Sequence, residues 1–198
     1  MGEFILSAFA DEIDANFDVQ LNALKKLSIG MIELRGVDGK SFVDLTENEL
    51  YTVRKKLEDN NITISALGSP IGKIAVDGDF EAHKKLFLKV MDIGDFLGCK
   101  RIRMFSFYPA EGISDSEFEA KVFCMIGELL EMAEKRSFVL CHENEKDIYG
   151  CSPERELKLV KHFNGRLRIV LDPGNFEFCG IDGSNAYELL HEYIDYMH

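Results

Sequence analysis

Short β-type runs alternate with amphipathic helical stretches along the whole chain. Their starts recur roughly every 25–40 residues, the length of one strand–helix unit in a parallel α/β fold. The strand runs fall at residues 4–9, 29–34, 62–66, 101–105, 138–142, 167–171 and 193–198. Phe17, Leu21, Leu24 and Leu27 paint one face of the first helix. Thr46 with Glu49 and Ser114 with Glu117 have the spacing of capping boxes and open two more helices. A long helix is expected over 80–97, and Ser152-Pro153 offers an N-cap with proline at the first helical position. Ser184 is expected to cap a short helix ending near His191. The pattern gives about seven strands and six helices, so the expected fold is a (β/α)8 TIM barrel that stops short of its eighth strand. An open doubly wound sheet competes, but its Gly-rich turn after the first strand is here Ala10-Asp11-Glu12. No linker divides the chain, so residues 1–198 are expected to form one domain.

Composition narrows the function classes. A net charge of -12 excludes a broad basic face for nucleic acid. No apolar run approaches the roughly 18 residues of a membrane span, and Met1-Gly2-Glu3 carries no basic leader. Cys99, Cys124, Cys141, Cys151 and Cys179 are scattered, odd in number and never spaced as CxxC. They read as reduced thiols, and a cytoplasmic location follows.

Parallel α/β folds gather their chemistry at the carboxyl ends of strands. The second strand ends in Glu33-Leu34-Arg35, the fifth in His142-Glu143-Asn144-Glu145, the sixth in Asp172-Pro173-Gly174-Asn175, and the seventh reaches His198. Glu143, Asp172 and His198 offer two carboxylates and an imidazole, a donor set for Mn²⁺, Mg²⁺, Co²⁺ or Zn²⁺. Taken from spacing alone, the same acids could instead cap the next helix or pair with lysine. His142 is out of phase with Glu143 and is expected to face the helix layer. His83 and Phe107 read as core or its boundary, and Tyr149 is open between core and pocket wall.

The segments Leu140-Cys141-His142-Glu143-Asn144-Glu145, Leu171-Asp172-Pro173-Gly174-Asn175-Phe176 and Tyr196-Met197-His198 resemble the ordered motifs of the xylose-isomerase-like superfamily. Ser7 to Glu12, Ile32 to Gly36, Ser69 to Lys73 and Arg103 to Tyr108 resemble its sugar-phosphate isomerase/epimerase branch. The resemblance implies metal ligation by Glu143, Asp172 and His198, with Glu143 also acting as catalytic base. A fourth ligand, a glutamate on an eighth strand, has no counterpart in the sequence. Glu145 competes with Glu143 for the ligand role, and Asn144 after Glu143 favours the latter. Asn175 stands where epimerases and endonucleases of the superfamily often carry histidine.

The implied chemistry is proton transfer next to a metal-bound carbonyl of a small sugar or sugar-phosphate. Glu33, Arg35, Lys73, Asn175 and Glu145 are the candidate substrate-binding residues. A lyase of the inosose or dehydroshikimate dehydratase kind, or an inactive remnant, is the alternative. Unpaired edges on the first and seventh strands are expected to bring two copies together as a homodimer.

Overall fold

The structure, a computed structural model, describes residues 4–198; the absence of a basic leader was read partly from Met1, Gly2 and Glu3, which lie outside the described residues. Contacts divide the chain into two units. One runs to Ser69 and includes Lys89–Arg101; the other comprises Pro70–Leu88 and Ile102–His198.

In the first unit, strands β1 (Ser7–Ala8), β2 (Met31–Leu34) and β3 (Thr63–Gly68) lie parallel in that order. Helices α1 (Phe17–Lys26) and α2 (Glu47–Asn60) provide the crossovers between them. Phe17, Leu21 and Leu24 are buried as their spacing predicts. Leu27 falls beyond the last turn and is exposed. Both halves of the Thr46–Glu49 capping box form, so two of the helix's unpaired N–H groups find acceptors. The first strand is shorter than expected. Pairing with β2 begins at Ser7↔Met31, and Phe4, Ile5 and Leu6 are exposed. A two-residue hairpin, Gly36–Val37 against Lys40–Ser41, was not foreseen. Its signal was Asp38-Gly39, both at positive φ, as the tight turn of a hairpin requires.

β4 (Arg101–Met104), in the second unit from Ile102 onward, β5 (Val139–Glu143), β6 (Leu167–Leu171) and β7 (Ile194–Met197) stand side by side. β5 and β6 are largely buried, and Leu140, Cys141, Leu167, Ile169, Val170 and Leu171 form their apolar part. Helix α3 (Phe80–Leu97) is shared between the two units. Helices α4 (Asp115–Glu134), α5 (Pro153–His162), α6 (Pro173–Phe178) and α7 (Gly183–Leu190) follow. The described residues thus hold seven barrel-type strands alternating with helices, the order of an incomplete (β/α)8 barrel. Seven α-helices form instead of six. The extra one, α6, is a six-residue helix capped by Asp172 with proline at its first turn. Asp182, not Ser184, caps α7, accepting from Ser184 N and Asn185 N. No described helix is long and apolar enough to cross a membrane.

The loops after β3 and β4 are zipped together. Ile71 O accepts from Phe105 N at 2.8 Å, Gly72 O from Phe107 N at 3.0 Å and Ile74 O from Tyr108 N at 2.9 Å. His83, buried as expected, accepts from Gly72 N through Nε2 at 2.8 Å. Phe107 is fully buried at φ +66°, a left-handed conformation that costs a bulky residue of order 1–3 kcal/mol. The bonds on both its N–H and its carbonyl hold it there. Gly72 has φ +88°, and a Cβ on it would lie 2.0 Å from Phe105 O.

Replacing Gly72 by alanine adds left-handed strain of about 1–2 kcal/mol to an overpacking cost of about 1–3 kcal/mol. Urea denaturation of Gly72→Ala should therefore show a loss of roughly 2–5 kcal/mol. A loss below about 1 kcal/mol would mean that the two loops part easily.

Candidate metal centre

β5, β6 and β7 each end in a polar residue on the same face of the sheet. Glu143 pairs in register with Val170, and Asp172 lies two residues beyond Val170. Side chains two apart on a strand share a face. The third donor depends on an irregularity. Between Ile169↔Ile194 and Val170↔Tyr196 the register of β7 shifts by one residue. Asp195 is the extra residue. Without the shift, Tyr196 and His198 would turn to the other face. With it, Tyr196 sits opposite Val170, and His198 N donates to Leu171 O at 3.0 Å.

One donor atom from each of Glu143, Asp172 and His198 lies within 4.8 Å of the other two. His198 Nδ1 is 3.0 Å from Glu143 Oε1 and 3.9 Å from Asp172 Oδ2. Oxygen and nitrogen ligands bind small divalent cations at about 2.0–2.2 Å, which puts pairs of donors roughly 3–4 Å apart. Two carboxylate oxygens and one imidazole nitrogen at these separations fit such an ion. Asp172 divides its oxygens: Oδ1 accepts from Asn175 N at 2.8 Å as the cap of α6, and Oδ2 faces His198. Capping and site donation, which the sequence left as alternatives, coexist in one carboxylate.

Glu143 is also held by a residue that the sequence reading missed. Arg103, on β4, places Nε 3.0 Å from Glu143 Oε2, and both side chains are nearly inaccessible to water, at 6% and 8% exposure. The guanidinium also lies over the Phe105 ring, 4.6 Å from its centroid. Burial opposes ionisation of Glu143. The hydrogen bond with His198 and the positive fields of Arg103, His198 and Lys73 outweigh it, holding the carboxyl below its ordinary range. The signal for Arg103 was its place between Ile102 and Met104, where an unpaired cation could not be buried.

Asn144 Oδ1 accepts from Asp172 N at 2.9 Å, and its Nδ2 donates to Asp172 O at 2.8 Å. Asn175 Nδ2 donates to Asn144 O at 2.9 Å. His142 turns to the helix layer as expected, its Nδ1 2.6 Å from Glu156 Oε1 with both side chains buried. Burial pushes the Glu156 carboxyl up, and the bond to His142 opposes the rise. Gly150 is packed against that imidazole; a Cβ there would lie 2.3 Å from His142 Cε1. Tyr149 belongs to the core: it is buried and its hydroxyl donates to Glu119 at 2.5 Å.

Lys73 and Glu145 face each other. Lys73 Nζ lies 3.0 Å from the Glu145 carboxylate and 4.2 Å from the centroid of the Phe105 ring. Glu33 and Arg35 belong to the first unit. Glu33 is buried at the end of β2. Arg35 follows one residue beyond the end of β2. It bonds to Asp11 at 2.8 Å and Glu12 at 3.0 Å, and stacks over Phe9.

A family model described as xylose isomerase-like TIM barrel matches residues 21–198. The chain belongs to this family. No curated protein sequence matches it. Solved structures share its fold at low identity. The probable 3-DHS dehydratase AsbF, involved in petrobactin synthesis, from Bacillus anthracis is 17% identical, with a TM-score of 0.82 over 98% of this chain and 72% of that one. A xylose isomerase-like TIM barrel protein from Mycobacterium smegmatis, in complex with magnesium, is 15% identical, with a TM-score of 0.76 over 98% and 73%. A D-tagatose 3-epimerase-like protein is 16% identical, with a TM-score of 0.75 over 97% and 74%. The resemblance read from the strand-end motifs thus holds at the level of family and fold.

Removing one partner of a buried ion pair costs about 3–5 kcal/mol, because the other charge is left without compensation. Arg103→Ala should lose that much in urea denaturation, and adding Glu143→Gln should recover part of it. Failure of the second substitution to restore any stability would mean that Arg103 acts through packing alone.

Proposed function

We propose that the chain is a divalent-cation-dependent enzyme acting on a small sugar or sugar-phosphate by proton transfer next to a carbonyl, as an isomerase or epimerase. The observation that carries this reading is the convergence of Glu143, Asp172 and His198 within 4.8 Å at the ends of three neighbouring strands. These three residues would hold the cation. When bound, such an ion polarises a carbonyl and its neighbouring hydroxyl, stabilising negative charge that develops on oxygen.

The chain's own residues supply the rest. Glu143, kept ionised by its surroundings, is a proton acceptor at the floor of the site. Arg103 holds Oε2, which leaves Oε1 facing the site. Lys73, half-exposed, offers a cation for a phosphate or carboxylate on the substrate, with Glu145 as its resting partner. Glu33 and Arg35 are proposed for hydroxyl and anion contacts, and a cytoplasmic location is proposed from five scattered cysteines, none of them in a disulfide.

A lyase removing water from a hydroxy-carbonyl compound is the second reading, and Asn175 favours it. Its carboxamide, bonded to Asn144 O, has no titratable proton. Elimination on one face can use a single base, whereas epimerisation uses a base on each face.

The test is cation content after exhaustive dialysis, followed by proton NMR of a ketose and ketose-phosphate panel in deuterium oxide. The parent protein should retain about one divalent ion per chain, and Glu143→Ala and His198→Ala should each lose it. Deuterium incorporation next to the carbonyl marks the isomerase reading, and loss of water marks the lyase. A parent that binds no divalent ion at millimolar concentration would sink both.

A further inference from the structure

We propose that Asn144 and Asn175 form a clasp that fixes the separation of Glu143 and Asp172, and thereby sets the affinity of the site for a divalent cation. The inference rests on the cation reading above and assigns Asn175 a positioning role in addition to any contact with substrate. The backbone ladder between β5 and β6 ends at Glu143↔Val170. Beyond that pair, parallel strands are free to splay. Asn144 prevents this by putting a side-chain amide where a peptide would have been. Its Oδ1 takes the Asp172 N–H at 2.9 Å, and its Nδ2 gives a proton to the Asp172 carbonyl at 2.8 Å. Asn144 is 1% exposed, so water offers these groups no alternative partner. Asn175 closes the loop from the other side. Its Nδ2 binds Asn144 O at 2.9 Å, and its backbone N–H binds Asp172 Oδ1 at 2.8 Å.

Three hydrogen bonds therefore tie the residue after Glu143 to Asp172 and to the first turn of α6, and a fourth, from Asn175 N to Asp172 Oδ1, closes that turn on itself. Two of the three fix the Asp172 backbone, and the fourth selects Oδ2 as the oxygen that faces His198. Two carboxylates so close repel each other when no cation lies between them. The clasp meets that repulsion during folding, so a cation finds its donors already in place. Groups that orient ligands in this way typically contribute 10–100-fold to metal affinity.

The experiment measures Mn²⁺ affinity by calorimetry for the parent, Asn144→Ala, Asn175→Ala and Leu129→Ala. Leu129 is fully buried in α4 and supplies a variant destabilised away from the site. Circular dichroism and cooperative melting establish that each protein is folded. The Kd for Mn²⁺ should rise roughly 10–100-fold in Asn144→Ala, by a smaller factor in Asn175→Ala, and not at all in Leu129→Ala. Asn175→Ala removes only one bond of the clasp, so it decides the matter if Asn144→Ala fails to fold. Unchanged affinity in folded Asn144→Ala or Asn175→Ala overturns the clasp while leaving the cation site standing. An equal loss in Leu129→Ala overturns it too, because general loosening would then explain the effect. A parent that binds no Mn²⁺ overturns the cation reading itself, before any variant is compared.

Discussion

An ionised carboxylate almost wholly removed from water is the constraint around which the second unit is arranged. Taking such a group into the interior costs several kcal/mol unless opposite charge and hydrogen bonds meet it there. Glu143 is met on one oxygen by Arg103 from β4 and on the other by His198 at the end of β7. Arg103 is about equally buried, and its guanidinium also lies over the Phe105 ring. Glu143, Asp172 and Glu145 stand with Arg103, Lys73 and His198 on these strand ends and loops.

Much of the fold was legible because its signals are local. Both capping boxes form, Ser152-Pro153 opens α5, and the strand runs fall within a few residues of their observed limits. These depend on side chains meeting backbone groups three or four residues away. The misreadings have local causes as well. Capping by Asp172 was left open as an alternative to site donation, and no apolar periodicity follows it to mark the six-residue helix it caps. Ser184 was taken as the cap of α7, which Asp182, two residues earlier, provides. Phe4, Ile5 and Leu6 are apolar enough for a strand, but β-structure needs a partner, and the ladder starts at Ser7.

The site was legible in its residue types and not in its alignment. Period-two alternation places Asp172 on the face of Glu143, because both belong to strands in regular register. The same rule could not place His198. Its face is set by the one-residue shift at Asp195, and no propensity in Ile194-Asp195-Tyr196-Met197 announces a bulge. Arg103 was passed over for a related reason. A lone arginine in an apolar strand can equally snorkel outward, and only the arrival of Glu143 from a strand some forty residues later decides its direction. Glu143 and Glu145, which compete in the sequence, meet different partners in the structure. Glu145 lies in the loop beyond β5, where Lys73 meets it.

That last pair bears on what the site can admit. Lys73 and Glu145 are both partly exposed, at 37% and 29%. An ion pair in contact with water is worth only about 0–1 kcal/mol. Arg103 and Glu143, buried together, are bound to each other far more firmly. The two pairs are thus graded in mobility. The inner one fixes the carboxylate that the proposed chemistry needs, and the outer one can open at small cost. An anionic substituent on a substrate would compete with Glu145 for Lys73 on nearly equal terms, gaining a charge-assisted hydrogen bond for the one it displaces. A neutral polyol has no such exchange to offer, so under the proposed reading the outer pair favours sugars that carry a phosphate or carboxylate over those that do not.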